Sequence, residues 1–334
     1  GVQEIILTSF LPQLTNDVTI DGTTQNGYTQ ENPTIKINGY LLEQSCFYAR
    51  DHIFNIEGIW FSNFYYNVLS LEEVRDSEIK NNRITNNLNY IEYSYVFAIG
   101  GCSNIIFFNN IIEDEQDIET ARNYSFGYYL KSSNNIIIGG TAEGQANTIK
   151  NCNIALYLVV SQQIKISGNK IYNINVAMTY LYGSNNAIDQ PIVSAYNEGV
   201  LSGNALPNST IEVFGSDGEE NANEYLVSTI ADENGEWNVE VYTEYEHFLV
   251  TQTDENNNTS TFGNIQYPDC EVPIDLSASE GVSTSHTLSW IGPASSTFNV
   301  AVGRHGQADE NWLVSFTPNI TENHITITGL DENT

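Results

Sequence analysis

The pattern of apolar and polar positions in the first half of the chain repeats at long, nearly constant intervals. Four segments align with one another, at residues 67–84, 95–112, 127–144 and 154–171. Within each segment, Ile, Leu, Phe or Tyr alternate with polar residues over short runs, which is the period of β-strands. One polar column contains Asp76, Asn104, Asn135 and Gln163, separated by 28, 31 and 28 residues. Self-similarity at such a period is typical of a solenoid of stacked coils.

Further columns accompany the first one. A second polar column contains Asn82, Asn110 and Asn169, with Thr141 at the third copy, where the alignment departs. The apolar columns contain Leu69, Phe97, Tyr128 and Leu156, then Leu71, Ile99, Leu130 and Leu158, then Ile79, Phe107, Ile138 and Ile166. The alternation predicts that these apolar side chains point into the solenoid and lie over one another from coil to coil.

Asparagine is a poor strand residue, so its place inside these apolar runs needs a reason. Asn tolerates the left-handed backbone region that tight corners require, and stacked Asn side chains can hydrogen-bond along the axis. The two polar columns are therefore predicted to be structural ladders. The pattern as a whole predicts an all-β chain that begins with a right-handed parallel β-helix over residues 1–191, and this helix is expected to be a fragment without a cap.

The stretch LPQLTNDVTIDGTTQNGY at residues 11–28, together with the four coils, carries a resemblance. It is similar to bacterial secreted right-handed parallel β-helix proteins of the pectin-lyase-like superfamily, over roughly residues 1–190. The resemblance implies the fold and an extracellular or cell-surface location. It does not select a function, because the scaffold serves enzymes, adhesins and inert stalks.

The asparagine pattern stops after Asp189, and short alternating strands joined by turn segments such as DENG and DENNN follow. Their spacing predicts a β-sandwich over residues 192–267. This part resembles bacterial Ig-like modules at Gly203, Pro207, Val213, Asp232, Gly235, Trp237 and Asp254. Residues 268–334 resemble a fibronectin type III domain at Pro273, Leu288, Trp290 and Leu330, and this domain is predicted to be incomplete, as part of a larger multidomain chain.

The charge of the chain excludes several partners. The 334 residues carry a net charge of −31, from 42 acidic and 11 basic side chains. Residues 1–193 have a net charge of −9, and residues 194–334, with Arg304 as their one basic residue, have −22. Such a balance disfavours nucleic acid and anionic membrane surfaces, both of which attract Lys and Arg. No apolar run reaches the length of a membrane span, so no membrane insertion is expected.

Hydrolases and lyases on β-helices are the first enzymes to consider. The resemblance implies an Asp cluster with His for a polygalacturonase-like hydrolase, or an Arg or Lys base for a lyase. The sequence contains no Asp–Asp pair, and His52 is the one histidine in the predicted helix. Arg83, Arg122 and Lys131 stay as candidate bases. Enzymatic activity is left open and is disfavoured, and no catalytic residue is assigned.

The run EDEQDIE offers a metal site. Glu113, Asp114, Glu115 and Asp117 provide the carboxylate oxygens that calcium prefers. The favoured alternative is a solvated loop between two coils, since such loops are commonly charged. No cofactor is therefore expected apart from this calcium candidate.

The sequence as a whole favours a non-catalytic, extracellular or cell-surface adhesin-like protein. Its β-helix would offer a face for a polysaccharide or another extracellular partner, and the acidic modules would act as a stalk. The alternative is a secreted polysaccharide lyase or glycoside hydrolase with accessory β-sandwich modules. Outward-facing tyrosines in residues 89–97 and 123–130 are candidates for contact with sugar rings, although interior stacking is favoured for most of them.

Overall fold

The computed structural model describes residues 1–40, 43–85, 94–113, 125–197, 199–217, 221–264, 274–278, 285–291, 298–303, 313–320 and 322–328. The chain forms two compact units, Gly1–Gln266 and Tyr267–Thr334. The described secondary structure consists of β-strands and one short 3₁₀ helix at Ser184–Ala187. Within the described residues, no helix has the length and apolarity to cross a membrane.

The first unit begins with a parallel β-helix made of three sheets, in which every strand pairs in parallel with its counterpart in the next coil. Sheet A contains β1 (Gln3–Ile6), β3 (Ile35–Asn38), β6 (Ile59–Ser62), β9 (Arg83–Thr85), β12 (Ile111–Glu113), β15 (Thr148–Lys150) and β18 (Lys170–Tyr172). Sheet B contains β4 (Phe47–Arg50), β7 (Leu69–Glu72), β10 (Ser94–Gly100), β13 (Ser125–Lys131), β16 (Ile154–Val159) and β19 (Val176–Leu181). Sheet C contains β2 (Val18–Asp21), β5 (Phe54–Glu57), β8 (Arg75–Lys80), β11 (Ser103–Phe108), β14 (Asn134–Ile138) and β17 (Gln162–Ile166).

The strand register confirms the three apolar columns. Leu69 pairs with Phe97, Phe97 with Tyr128, and Tyr128 with Leu156, and the other two columns pair in the same way. All of these side chains are buried in one continuous core. Coil-to-coil stacking therefore places like positions over one another, because a parallel ladder with the same register keeps every equivalent side chain on the same face.

The second polar column is a buried ladder at the corner between sheets C and A. Asn82 Nδ2 donates to Asn110 Oδ1 at 3.1 Å, Asn110 Nδ2 donates to Asn147 Oδ1 at 3.1 Å, and Asn147 Nδ2 donates to Asn169 Oδ1 at 2.9 Å. The third member is thus Asn147 and not Thr141, which is exposed. The extra residues after Gly139 bulge outward before the chain returns to the ladder at Asn147.

At this corner the buried amide side chains supply hydrogen-bond partners for backbone N–H and C=O groups. Each Oδ1 also accepts a backbone N–H from the preceding coil, as when Asn82 N donates to Asn110 Oδ1 at 3.2 Å and Asn110 N donates to Asn147 Oδ1 at 2.8 Å. Each Nδ2 also donates to a carbonyl, as Asn110 does to Ile79 O at 2.8 Å. Buried peptide groups require such partners, which is why amides and not more apolar residues occupy this corner.

The first polar column lies on the surface at the corner between sheets B and C. Asn104 Nδ2 donates to Asp76 Oδ1 at 2.8 Å, and Asn135 Nδ2 donates to Asn104 Oδ1 at 2.7 Å. Asp76, Asn104, Asn135 and Gln163 all have positive φ, between 50° and 56°. Gln163 continues the register, but its backbone N–H donates to Asn258 of the following module at 2.8 Å.

The remainder of the first unit is an antiparallel β-sandwich. One sheet contains β20 (Ile192–Asn197), β21 (Val200–Asn204) and β24 (Glu236–Glu240). The other contains β23 (Glu224–Ile230), β22 (Thr210–Ser216), β25 (His247–Thr253) and β26 (Gly263–Asn264). A separate core between them includes Val193, Leu201, Val213 and Trp237. We refer to this sandwich as the Ig-like module.

The Ig-like module covers the last coil of the β-helix, so the expectation of an uncapped helix is wrong. Phe214, Ala222 and Leu249 of the module belong to the same hydrophobic core as the β-helix interior. Backbone bonds join Ile171 and Ala222 in both directions, at 2.8 and 2.6 Å. The open end of a solenoid exposes apolar side chains and unpaired strand edges, which must be covered for stability.

The second unit contains two antiparallel sheets in its described part. One comprises β27 (Ile274–Ala278), β28 (Ser285–Ile291) and β31 (His324–Thr328), and the other β29 (Phe298–Gly303) and β30 (Leu313–Ile320). Trp290 and Ile327 are buried, and Leu288 pairs with Ile325. Pro273 and Leu330, which contributed to the predicted fibronectin type III domain, lie outside the described residues.

Candidate functional site

The outer face of sheet A carries four basic side chains. Successive side chains of a strand lie on opposite faces of the sheet. The core contains Ile37, Ile84, Ile149 and Ile171, so the residues next to them in sequence point outward. These neighbours include Lys36, Arg83, Lys150 and Lys170, which are four of the eleven basic residues of the chain. Together with Trp60 and Glu113 they form what we call the sheet A strip.

The strip begins with an aromatic ring held between two cations. Lys36, Trp60 and Arg83 occupy equivalent positions in three successive coils, because β3 pairs with β6 and β6 with β9. Lys36 Nζ lies 4.7 Å and Arg83 Cζ 4.8 Å from the centre of the Trp60 ring. Trp60 Nε1 donates to Thr85 Oγ1 at 2.8 Å, which fixes the ring. Cations within about 6 Å of an indole face are attracted to it.

The strip continues with an ion-paired triad. Arg83 Nη2 lies 2.6 Å from Glu113 Oε1, and Lys150 Nζ lies 2.8 Å from Glu113 Oε2. Burial alone would raise the pKa of Glu113, but hydrogen bonds from Lys150 and Arg83 outweigh it and lower the pKa below its ordinary value. The hydrogen bond to Glu113 raises the pKa of Lys150, against an opposing effect of burial. Glu113 and Lys150 therefore stay ionised at neutral pH.

One side of the strip is lined by residues 22–34, which we call the strap. Arg83 Nη1 donates to Glu31 O at 2.6 Å, and Gln30 Nε2 donates to Asn109 Oδ1 at 2.6 Å. The strap leaves β2 where Gly22 passes Gly58, and a Cβ on Gly22 would lie 2.4 Å from Gly58 O. Glycine is needed there because the two backbones approach too closely for a side chain. Arg83 thus belongs to the strip and also anchors its wall.

The chemistry of the strip fits binding better than proton transfer. A general acid or base works best with a pKa near the working pH. Glu113 has a lowered pKa and Lys150 a raised one, so both move away from that range. Fixed cations beside an indole, by contrast, suit a ligand with acidic groups and an apolar face.

Among the described carboxyl groups, one has a raised pKa, which is the direction expected of a general acid. Burial raises the pKa of Glu212, against hydrogen bonds from Ser167 Oγ at 2.5 Å and Gly168 N at 2.9 Å. This residue lies between the β-helix and the Ig-like module, and it is 3% exposed. A substrate cannot reach it, so its role is structural.

Of the four residues in the predicted metal site, the structure describes Glu113 alone. Glu113 lies on sheet A, where Arg83 and Lys150 occupy its carboxylate. Asp114, Glu115 and Asp117 lie outside the described residues. Among the side chains that the structure describes, no group of three or more His, Cys, Asp or Glu is arranged to hold a metal ion. The calcium site therefore stays an untested prediction.

The three candidate bases do not meet in the described structure. Arg83 is in the strip, Lys131 is exposed at the end of β13 in sheet B, and Arg122 lies outside the described residues. His52 lies beside Asp17, with 3.7 Å between Nδ1 and Oδ1. No pair of these residues forms an acid–base arrangement.

The outward tyrosines form a file on sheet B. The rings of Tyr95 and Tyr129 are stacked with centres 4.2 Å apart, and those of Tyr129 and Tyr157 with centres 5.9 Å apart. Rings in such a file cover one another's faces, and a sugar ring packs on an exposed aromatic face. The file is consequently a weaker candidate for carbohydrate contact than the sheet A strip.

Sequence analysis missed Lys36, Trp60, Lys150 and Lys170 as members of one site. The signal was available, since Lys36, Trp60 and Arg83 follow one another at intervals of 24 and 23 residues. Those intervals are shorter than the 28, 31 and 28 residues that separate the members of the first polar column, so an alignment based on the asparagine columns did not include them.

Comparisons with solved structures give distant likenesses. The chain is similar to the enzymatically active domain of tailspike protein 2 of bacteriophage CBA120, with 11% identity, a TM-score of 0.33, and coverage of 90% of this chain and 54% of that one. The full-length tailspike protein 2 from Escherichia coli O157:H7 bacteriophage CAB120 gives 9% identity, a TM-score of 0.28, and coverage of 90% and 50%.

A third likeness is to the central fibronectin-III array of RIM-binding protein, with 18% identity, a TM-score of 0.18, and coverage of 45% of this chain and 60% of that one. The chain thus spans between half and three fifths of the length of these structures, and likeness at these TM-scores supports no inference about function. No curated protein sequence matches the chain. A family model does match part of it: residues 187–269, a range that includes the strands of the Ig-like module, match the bacterial Ig domain.

Proposed function

We propose that this is a non-catalytic, extracellular or cell-surface adhesin-like protein whose β-helix binds carbohydrate along the sheet A strip. One observation carries the proposal. Four of the eleven basic residues lie on one outer sheet face beside Trp60, in a chain of net charge −31. These cations lie along one sheet of a chain that is otherwise strongly acidic.

The charge on the strip indicates the type of ligand. Its strands carry Lys36, Arg83, Lys150 and Lys170 against Glu4 and Glu113, an excess of two positive charges. The rest of the molecule repels anions, so an acidic glycan would find its best electrostatic partner here. The strap gives the strip a wall, and Trp60 holds Lys36 and Arg83 in place through its ring.

An extracellular location is supported by the bacterial Ig domain match and by the resemblance to secreted β-helix proteins. The strongly acidic character of residues 194–334 favours solubility and mutual repulsion, which suits surface display.

The alternative is a polysaccharide lyase or glycoside hydrolase. Arg83 and Lys150 beside a carboxylate are the features that favour it. A lyase base must lose its proton, however, and the raised pKa of Lys150 opposes this.

A glycan array followed by titration calorimetry tests the proposal. The variant Lys36→Gln/Lys170→Gln removes two charges from the strip, and the control Arg50→Gln/Lys131→Gln removes two exposed charges from sheet B. We expect the strip variant to weaken binding of acidic glycans by about tenfold, and the control by less than about twofold. Binding should also weaken as salt is added.

Equal effects of the two variants would contradict the location of the site. Release of unsaturated ends or reducing sugar from uronic-acid polymers, abolished by Arg83→Gln, would instead establish the enzyme. Absence of any glycan binding by the unmodified protein would leave a structural filament as the remaining function.

A further inference from the structure

The Ig-like module meets the β-helix at an end where many polar groups need partners. In a parallel β-helix, each coil satisfies the strand edge of the coil before it. After the last coil no further strand follows, so backbone N–H groups and apolar side chains would face water there. The structure shows how each of two sheet edges is closed by the module.

The edge of sheet C is closed by a short segment of the module. Gln163 N donates to Asn258 Oδ1 at 2.8 Å, and Ile166 N donates to Thr259 Oγ1 at 3.0 Å. Thr259 N donates in turn to Ile164 O at 3.3 Å. Asn258 and Thr259 are fully buried. This segment therefore takes the place that the next strand of sheet C would occupy.

The edge of sheet A is closed by a different loop. Ala222 forms a two-way backbone bridge with Ile171 of β18, and Asn173 N donates to Asn221 Oδ1 at 2.8 Å. Ile171 is 1% and Ala222 0% exposed. Because the bridge is antiparallel, it ends the parallel sheet and prevents further addition at this edge.

The corner between these two sheets is closed by a buried carboxyl side chain. Glu212 reaches from β22 and accepts hydrogen bonds from Ser167 Oγ at 2.5 Å and from Gly168 N at 2.9 Å. Ser167 and Gly168 directly precede Asn169, the last member of the buried asparagine ladder. An isolated spacer domain would have no reason to bury a carboxyl on this strand, since a buried polar group is costly without partners.

The hydrophobic core of the β-helix continues into the Ig-like module where the two meet. Phe214 and Phe262 of the module line a small space together with Ile166, Ile171 and Met178 of the last coil. Phe214, Ala222 and Leu249 belong to the core of the β-helix, whereas residues such as Val213 and Trp237 belong to the module's own core. The module thus contributes side chains to two cores at once.

From these contacts we infer that the Ig-like module is an obligatory cap of the β-helix, folding and unfolding with it as one cooperative unit, and not an independent spacer. Asn258, Thr259, Ala222 and Glu212 are the residues that replace the missing coil. The inference does not depend on the proposed glycan binding, since it rests on the contacts between the module and the last coil and not on the charges of the sheet A strip.

Hydrogen exchange followed by mass spectrometry on the full chain tests the inference. Three variants are compared with the unmodified protein: Glu212→Ala, the milder Glu212→Gln, and the control Glu236→Ala, which alters an exposed carboxyl of the same module. Peptides covering residues 162–172 report on the last coil, peptides covering 247–253 report on the module, and peptides covering 54–62 report on an early coil.

If the module is an obligatory cap, Glu212→Ala raises exchange at least tenfold both in residues 162–172 and in residues 247–253, while Glu236→Ala leaves both unchanged. The unmodified protein should lose protection in all three regions over one thermal transition. Should Glu212→Ala yield no soluble chain, Glu212→Gln provides the same comparison with a smaller effect.

Two results would overturn the inference. One is a module that opens in the Glu212 variants while residues 162–172 keep their protection. The other is an unmodified chain that melts in two steps, with the module first and the β-helix still protected.

Discussion

Replacing Asn110 by alanine is expected to destabilise the first unit strongly, because this residue is the centre of the buried ladder. Its side chain is fully buried and takes part in four hydrogen bonds: two from Nδ2, to Ile79 O and Asn147 Oδ1, and two to Oδ1, from Asn82 N and Asn82 Nδ2. Alanine removes all four. Asn82 N then loses its acceptor in a region closed to solvent.

The magnitude follows from the number of groups left without partners. A buried N–H without an acceptor costs about 1–3 kcal/mol, and each of the other three hydrogen bonds contributes about 0.5–1.5 kcal/mol. The free energy of unfolding should fall by the sum of these amounts, about 2.5–7.5 kcal/mol. For a unit of this size each kcal/mol lowers the melting temperature by about 2–4 °C, so a decrease of roughly 5–30 °C is expected.

The matched control is Asn104→Gly in the exposed ladder. Asn104 also makes side-chain bonds in both directions, to Asp76 and from Asn135. Water can replace those bonds because the residues are exposed, and glycine accepts the φ of 56° at this position without strain. The expected change is within about 1 kcal/mol.

Thermal unfolding followed by far-UV circular dichroism at one scan rate measures both variants. A large decrease for Asn110→Ala beside a small one for Asn104→Gly supports the argument that burial gives the ladder its energetic weight. Similar decreases for both, or a change below about 1 kcal/mol for Asn110→Ala, would refute it.

Two further predictions concern titratable groups inside the first unit. Burial raises the pKa of Glu212 above its ordinary value of 4.5, despite opposing bonds from Ser167 and Gly168, so its contribution to stability is fully present below the unfolded-state pKa and is lost as the pH rises through the folded pKa. The melting temperature of the unmodified protein relative to Glu212→Gln should therefore decrease from about pH 4 to about pH 8, and a constant difference would contradict this. Burial raises the pKa of the Cys102 thiol to about 11, and Cys102 is fully buried, so a maleimide at about pH 7.5 should leave its peptide unmodified until the protein unfolds. Modification of Cys102 in the folded protein would show that the coil opens there.

The apolar columns were predictable because their cause is local and repeats. Each inward position needs an apolar side chain, and the same number of residues returns the chain to the same position in the next coil, so counting along the sequence is enough to align Leu71 with Ile99. In the third coil, counting residues along the sequence did not identify the member of the asparagine ladder. There the chain makes a detour between Gly139 and Asn147, and nothing in the composition of that segment marks where it rejoins the ladder.

The sheet A strip was less accessible to sequence analysis. Its strands are only three or four residues long, too short to show alternation by themselves. The intervals between Lys36, Trp60 and Arg83 also differ from those of the later coils, and the contact between Arg83 and Glu31 joins residues far apart in the chain. Such a site depends on how corners of different lengths bring the strands back into register.

The sequence by itself determined that this protein is an all-β chain with a stacked parallel helix followed by β-sandwich modules, since side-chain periodicity and turn residues act over a few positions. The tertiary structure decided which charges share a face, which amide completes the ladder, and which loops of the Ig-like module close the last coil. Those outcomes depend on distances between segments separated by tens of residues, such as Gln163 and Asn258, and a linear pattern does not contain such distances.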